Sequence, residues 1–302
     1  MATVKKIRKY RDSDRTANII INICLFAVAF LTIYPLWYVL IASVSDPGAI
    51  AGGEVLLWPV GFNLEGYEKL FATKKIWVGY RNSLMYAAVG TAVNLFVQLP
   101  CAYALSRKNL PGRRLLNTLL IITMYFSGGL VPSFILMSQL HLIDNPLALI
   151  LPTCLSVYNV ILARNYFESN IPETLFEAAK IDGCNYTRFF TGMVLPLSKP
   201  IVAIIALFSA QTNWNQYFNA KMYIYSAKYQ TLQQVIAQIT AKVDTTLSDL
   251  TNITAQEMAQ IALEKQLMKY SVVVVAALPM IILYPFIQKF FIKGIMVGAV
   301  KG

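Results

Sequence analysis

The chain has 302 residues, of which 57% are hydrophobic and 14% charged, with a formal net charge of +11. Soluble domains carry about 25% charged residues, and a bilayer-spanning helix needs about 20 mostly apolar ones, so the composition excludes a soluble fold and fits one polytopic membrane domain. The positive excess is concentrated in particular loops, which suits a membrane orientation signal better than nucleic-acid binding.

In chain order, a basic segment over residues 1–15 comes first, followed by an apolar run over 16–42. That run is far longer than the 7–15-residue apolar part of a secretory leader, and no small-residue cleavage site follows, so it is expected to be retained as a first span. Further spans are predicted over 82–105, 115–138, 146–163, 200–218 and 271–288, none with Asp, Glu, Lys or Arg inside it. The third is interrupted by Ser127-Gly128-Gly129 and Pro132, a weak gate candidate or a plain kink. Of the two long connections on the other side, the first (43–81) is turn-rich. The second (219–270) carries Leu232, Val235, Ile236 and Ile239 at helical spacing, an amphipathic helix lying on the membrane or capping the bundle.

Seventeen of the 26 Lys and Arg fall in the N-terminal segment (Lys5, Lys6, Arg8, Lys9, Arg11, Arg15), the second–third connection (Arg107, Lys108, Arg113, Arg114), the fourth–fifth connection (Arg164, Lys180, Arg188, Lys199) and the C-terminal end (Lys289, Lys293, Lys301). The positive-inside rule therefore predicts six spans with both termini cytoplasmic. Cys24, Cys101, Cys154 and Cys184 have no paired spacing and read as apolar fillers; His141 stands without metal-ligating company.

The fourth–fifth connection, about 165–199, is the most informative stretch. Ser169 or Asn170 suits a helix cap, Pro172 its first turn, and Glu173 and Glu177 its positive end. Gly183 suits the left-handed residue that ends the helix, Asn185 caps a second short helix, and Leu195-Pro196 stops it. Leu175, Ala178, Ala179 and Asp182 make one small, mostly apolar stripe that either docks a partner or packs on its own protein.

Glu177-Ala178-Ala179, then Gly183, then Leu195-Pro196 resembles the EAA loop of bacterial ABC importer permeases. Ile181-Asp182-Gly183-Cys184 and Leu195-Pro196-Leu197-Ser198 look like the carbohydrate, maltose-type branch, as does the end from Tyr284-Pro285-Phe286 to Gly302. Trp77-Val78-Gly79-Tyr80-Arg81-Asn82-Ser83-Leu84, Leu105-Ser106-Arg107-Lys108 and Phe126-Ser127-Gly128-Gly129-Leu130 are similar to its oligosaccharide-importing subgroup.

The resemblance implies an all-α permease fold in the bacterial cytoplasmic membrane: a cytoplasmic tail (1–15), a six-helix transmembrane domain (16–292) and a cytoplasmic C-terminal tail (293–302). It implies a second homologous permease subunit, an ABC ATPase dimer and an extracytoplasmic solute-binding protein as partners. Glu177, Ala178, Ala179, Asp182, Gly183, Leu195 and Pro196 would couple to the ATPase. No cofactor is expected on this chain; ATP and Mg would sit on the ATPase, and no Gly here is followed by the Lys of a P-loop.

Two polar clusters are candidates for a sugar path. Thr91, Asn94 and Gln98 share one face of the second span, and Asn213, Trp214, Asn215 and Tyr217 end the fifth. For the first the alternative is interhelical hydrogen bonding, and for the second an interfacial aromatic belt. A stand-alone secondary transporter or channel for a small polar solute is the competing function; the spans lack the ionisable groups such proteins use.

Overall fold

The computed structural model describes residues 2–245, 263, 266–285 and 288. Lys289 and the expected tail 293–302, with Lys293 and Lys301, lie outside them. The described residues are helical with no strand, and the chain forms two compact units, Met1–Ala72 with Val243–Val275, and Thr73–Lys242 with Ala276–Gly302.

The first unit begins with one continuous helix, Ala2–Ala42. Most of its apolar part, Ala17–Ala42, is exposed, while Ile41 and Ala42 at its end are buried. Pro35 removes one backbone donor, a defect membrane helices tolerate. Asp46 caps Pro47–Ala51, its Oδ2 accepting from the Gly48 and Ala49 amides at 2.8 and 3.2 Å. Ile41, Ala42, Ile50, Val55 and Leu267 close a small core. Gly66 lets the helix Glu65–Ala72 lie close to Leu267 and Ser271, since a Cβ there would stand 2.6 Å from Ser271 Oγ.

The second unit is built on Lys74–Ser106, a 33-residue helix of about 50 Å. Val157–Asn170 and Lys199–Trp214 pack along it. Leu99, Tyr103, Val160, Phe167, Ile201 and Ile205 are part of the shared core. The stretch beginning at Leu232 caps the same helix. The Leu232 amide donates to Ser83 Oγ at 2.8 Å, and Asn82 Nδ2 donates to the Lys228 and Gln230 carbonyls. Of the two expectations for this amphipathic segment, its apolar face therefore takes the capping role: Leu232 and Val235 are buried.

Three described helices are long and apolar enough to cross a membrane: Ala17–Ala42, Lys74–Ser106 and Gln266–Pro285. Two bent pairs raise the number to five: Arg113–Tyr125 with Leu130–Gln139, at 110°, and Tyr186–Leu197 with Lys199–Trp214, at 86°. The first bend falls at the predicted glycine interruption, where Gly129 has φ +87°. The predicted run 146–163 is not one helix. Leu147–Ile150 ends, residues 151–156 are irregular, and the 14-residue helix Val157–Asn170 follows. Pro152 lies in this break, and neighbouring side chains take up the freed carbonyls: Gln98 Nε2 donates to Cys154 O at 3.0 Å, and Gln216 Nε2 to Leu149 O at 2.9 Å.

Candidate functional site

The 165–199 connection folds as a helix, a glycine turn and a second short helix, Glu173–Ile181 and Tyr186–Phe189. The expected Ser169 or Asn170 cap is not used. Asn170 ends the preceding helix, with its Nδ2 donating to Tyr166 O at 3.0 Å, and Pro172 occupies the cap position. A proline there leaves no donor to satisfy and holds the extended backbone an entering helix needs.

The other end matches the glycine reading. Gly183 has φ +74°. Its amide donates to Lys180 O at 3.0 Å and the Cys184 amide to Ala179 O at 2.9 Å, the paired bonds that close a helix through a left-handed residue. Asn185 then caps the second helix, its Oδ1 accepting from the Arg188 amide at 2.8 Å.

The expected stripe divides. Phe176 and Ala179 are buried in the protein's own core, with Leu175 half-buried. Glu177, Ala178, Lys180, Asp182 and Gly183 are exposed. Ala179 is thus not available to a partner, because Phe176 fixes which face turns inward. Sequence reasoning missed Ile181. It is 87% exposed at the tip of the turn, and an apolar residue between Lys180 and Asp182 in a polar loop was the available signal.

Behind the exposed ridge lies an aromatic cluster. Phe176 meets Phe189 edge-on at 5.1 Å and Tyr186 face-on at 4.8 Å. Tyr103, from the end of the long helix, stands 6.5 Å from Phe189 and 5.0 Å from Phe190. The Arg107 guanidinium lies over Tyr103, Phe176 and Phe189 at 4.6, 5.8 and 5.9 Å, within cation–π range. Ion pairs add ties: Lys108 to Glu173 at 3.7 Å, and Glu168 to both Arg113 and Arg164. The ridge is therefore mounted on the end of the Lys74–Ser106 helix.

Leu195-Pro196 does not stop the second helix. Phe190–Val194 opens into a π turn, the Leu195 amide donating to Phe190 O, and the chain bends at Ser198. Proline crowds the carbonyl four residues back and offers it no donor; here that residue is Gly192, inside the widened turn. Leu195 is half-buried and Pro196 exposed.

Of the polar candidates, Asn94, Gln98 and Asn213 are at most 2% exposed. Gln98 Oε1 accepts from Asn159 Nδ2 at 3.1 Å. Asn213 Oδ1 accepts from Thr153 Oγ1 at 3.2 Å and Gln216 Nε2 at 2.9 Å. Gly90 makes room for this amide, since a Cβ would lie 2.4 Å from Asn213 Oδ1. Asn94 Oδ1, Thr91 Oγ1, Ser209 Oγ and Gln216 Oε1 have no hydrogen-bond partner among the described residues. Gln98, Asn213 and Gln216 form a buried polar seam around the break at 151–156, with Gly90 and Asn94 on the same face of the long helix as Gln98. Trp214 is buried, edge-on to Tyr80, its Nε1 donating to Ala276 O at 3.2 Å. It does not face outward as a belt residue does. Asn215 is exposed, and Tyr217 lies under Lys221 Nζ at 5.8 Å, outside the seam.

The family described as binding-protein-dependent transport system inner membrane component matches residues 75–297. The chain is 38% identical over 275 residues to protein LplC of Bacillus subtilis, covering 91% of each chain. It is 37% identical over 289 residues to the polygalacturonan/rhamnogalacturonan transport system permease protein YtcP of the same organism, covering 96% of this chain and 99% of the relative. Among solved structures, a chain from a bacterial ABC transporter involved in import of the acidic polysaccharide alginate superposes with a TM-score of 0.81 and 30% identity, over 92% of this chain and 98% of that one.

Proposed function

The chain belongs to the family of binding-protein-dependent transport system inner membrane components, non-enzymatic multi-pass subunits of ABC importers, and from that premise we propose that it is the permease through which an oligosaccharide enters the cell. One relative is named for polygalacturonan/rhamnogalacturonan transport, and a structural neighbour is involved in alginate import, so oligomers of sugar acids are the first substrates to test. The chain works with an ATPase that hydrolyses ATP with Mg, a solute-binding protein outside, and a second homologous permease subunit.

The observation that carries the mechanism is the exposed ridge Glu177, Ala178, Ile181, Asp182 and Gly183, backed by Phe176 and Ala179 in the core. An apolar tip ringed by charges, on a rigid mount, suits insertion into a cleft of the ATPase. Force on the ridge passes through Phe176, Phe189 and Tyr103 into the long helix, a rigid-body transfer. Leu195 and Pro196 shape the corner leading to Lys199–Trp214. The seam of Asn94, Gln98 and Asn213 borders the sugar's route; Gln98 and Asn213 hold the wall through their protein partners, and Asn94 Oδ1 is the acceptor left for a hydroxyl group. Trp214 supports that wall, while Asn215 and Tyr217 lie at the mouth.

Six crossings with both termini inside follow if Arg113–Gln139, the broken stretch 146–163 and Lys199–Trp214 join the three long helices as one crossing each. The basic loops support that orientation. Labelling a Lys180→Cys variant tests it. A membrane-impermeant thiol reagent should leave position 180 untouched in intact cells and modify it in inverted vesicles; labelling from outside overturns both the topology and the coupling role.

A further inference from the structure

A cavity of about 770 Å³ opens beside the end of the long helix, lined by Leu95, Phe96, Leu99, Ala104, Arg107 and Phe190 among others. Its walls are almost wholly apolar over the Leu95–Ala104 stretch. One cation, Arg107, stands at one end, beside the polar groups of Asn109, Tyr186, Thr187 and Thr191. From Leu95 to Arg107 is about 18 Å along a helix, against about 15 Å for one leaflet of hydrocarbon. Phe96, at the apolar end, is 81% exposed.

Arg107 is the unusual member. Arginine stays charged at any physiological pH. Its guanidinium rests on aromatic faces, its Nε is buried without a hydrogen-bond partner, and no carboxylate pairs with it among the described residues. The nearby acids are already engaged: Glu173 with Lys108, and Glu168 with Arg113 and Arg164. A fixed positive charge lacking an anion, at the interfacial end of a leaflet-long apolar groove, complements an anionic amphiphile.

We propose that this groove binds an anionic phospholipid of the cytoplasmic leaflet, its phosphate at Arg107 and an acyl chain along Leu95, Leu99 and Ala104. Basic pockets between membrane helices on this side take such headgroups. The choice of leaflet rests on the orientation proposed above. Tyr186, Thr187 and Phe190 belong to the coupling segment, so the lipid braces the ridge against the long helix.

The test is native mass spectrometry of the full-length chain, with its co-purifying subunits, from nanodiscs of phosphatidylethanolamine and phosphatidylglycerol. The wild type should retain phosphatidylglycerol preferentially. Arg107→Gln should lower that preference about fivefold, the effect of one interfacial cation. Ala104→Trp, which fills the groove and leaves Arg107 in place, should remove the retained lipid. No headgroup preference in the wild type, or retention unchanged in Ala104→Trp, overturns the proposal. So does displacement by millimolar inorganic phosphate, which would make this a simple anion site, or efficient cross-linking of Phe96→Cys to another subunit, which would make it a protein interface. Lipid retention is read without transport or topology, so its failure is separate from failure of the coupling role.

Discussion

Gly183 and Ile181 sit two residues apart and make different demands. Gly183 has open space around a would-be Cβ, but its φ of +74° penalises any other residue, by about 1–2 kcal/mol for a bulky side chain. Gly183→Val is expected to insert normally and lose transport, read as uptake against the amount of protein in the membrane. Ile181→Ser and Glu177→Lys change exposed side chains, so unfolding stability should move by less than about 0.5 kcal/mol while uptake falls; unchanged uptake in both would contradict the docking role. Gly90→Ala is the opposite kind of change. Its Cβ meets Asn213, and overpacking of this kind costs about 1–3 kcal/mol, visible as a lower Tm.

At the scale of elements, the ridge needs its backing. Phe176→Ala removes a buried ring from the cluster with Phe189 and Tyr186, a loss of about 3–5 kcal/mol in a well-packed core. The ridge should then lose protease resistance before the rest of the chain. A second local device sits at Asp144, where the Tyr225 and Ser226 amides donate to its carboxylate at 3.0 and 2.8 Å and the Ser226 hydroxyl adds a third bond. The Ser226 hydroxyl foremost, then the backbone donors, holds this carboxyl below its usual range. The clamp is therefore complete at and above the ordinary carboxylate range and is lost as pH falls through the lowered value. Protection of the Tyr225 and Ser226 amides relative to their intrinsic exchange rates should persist down to mildly acid pH and fall only below it; absence of protection at neutral pH would exclude the clamp.

The same scale shows what was legible in the sequence. The glycine end of the Glu173–Ile181 helix and the Asn185 cap were readable because both are local, set by one residue's backbone freedom or one side chain's reach. The inward face was not, because Phe176 chooses it through Tyr103 and Phe189, far away in the chain. The break at 151–156 was not legible for a related reason: besides the local Thr153 hydroxyl, the carbonyls at and beside it are satisfied by Gln98 and Gln216, which lie far away in the chain. The π turn before Pro196 was misread as a stop, although a proline can be absorbed where the preceding turn widens.

For the molecule as a whole, the division of labour predicts that the purified chain, without partner subunits, hydrolyses no ATP. Robust activity from the chain alone would contradict a permease role. The assembly proposed above predicts that transport returns only when an ATPase, a binding protein and a second membrane subunit are supplied together.

The patched break at 151–156 also bears on biogenesis. Its irregular backbone cannot rest in hydrocarbon unaided, and one of its donors, Gln216, is synthesised some sixty residues later. A nascent chain released before Gln216 emerges would leave Leu149 O with the Thr153 hydroxyl as its side-chain donor. Such intermediates should be held by the insertion machinery or its chaperones, and truncations ending near residue 198 should be cleared by membrane proteases, even though most of the apolar sequence is already present.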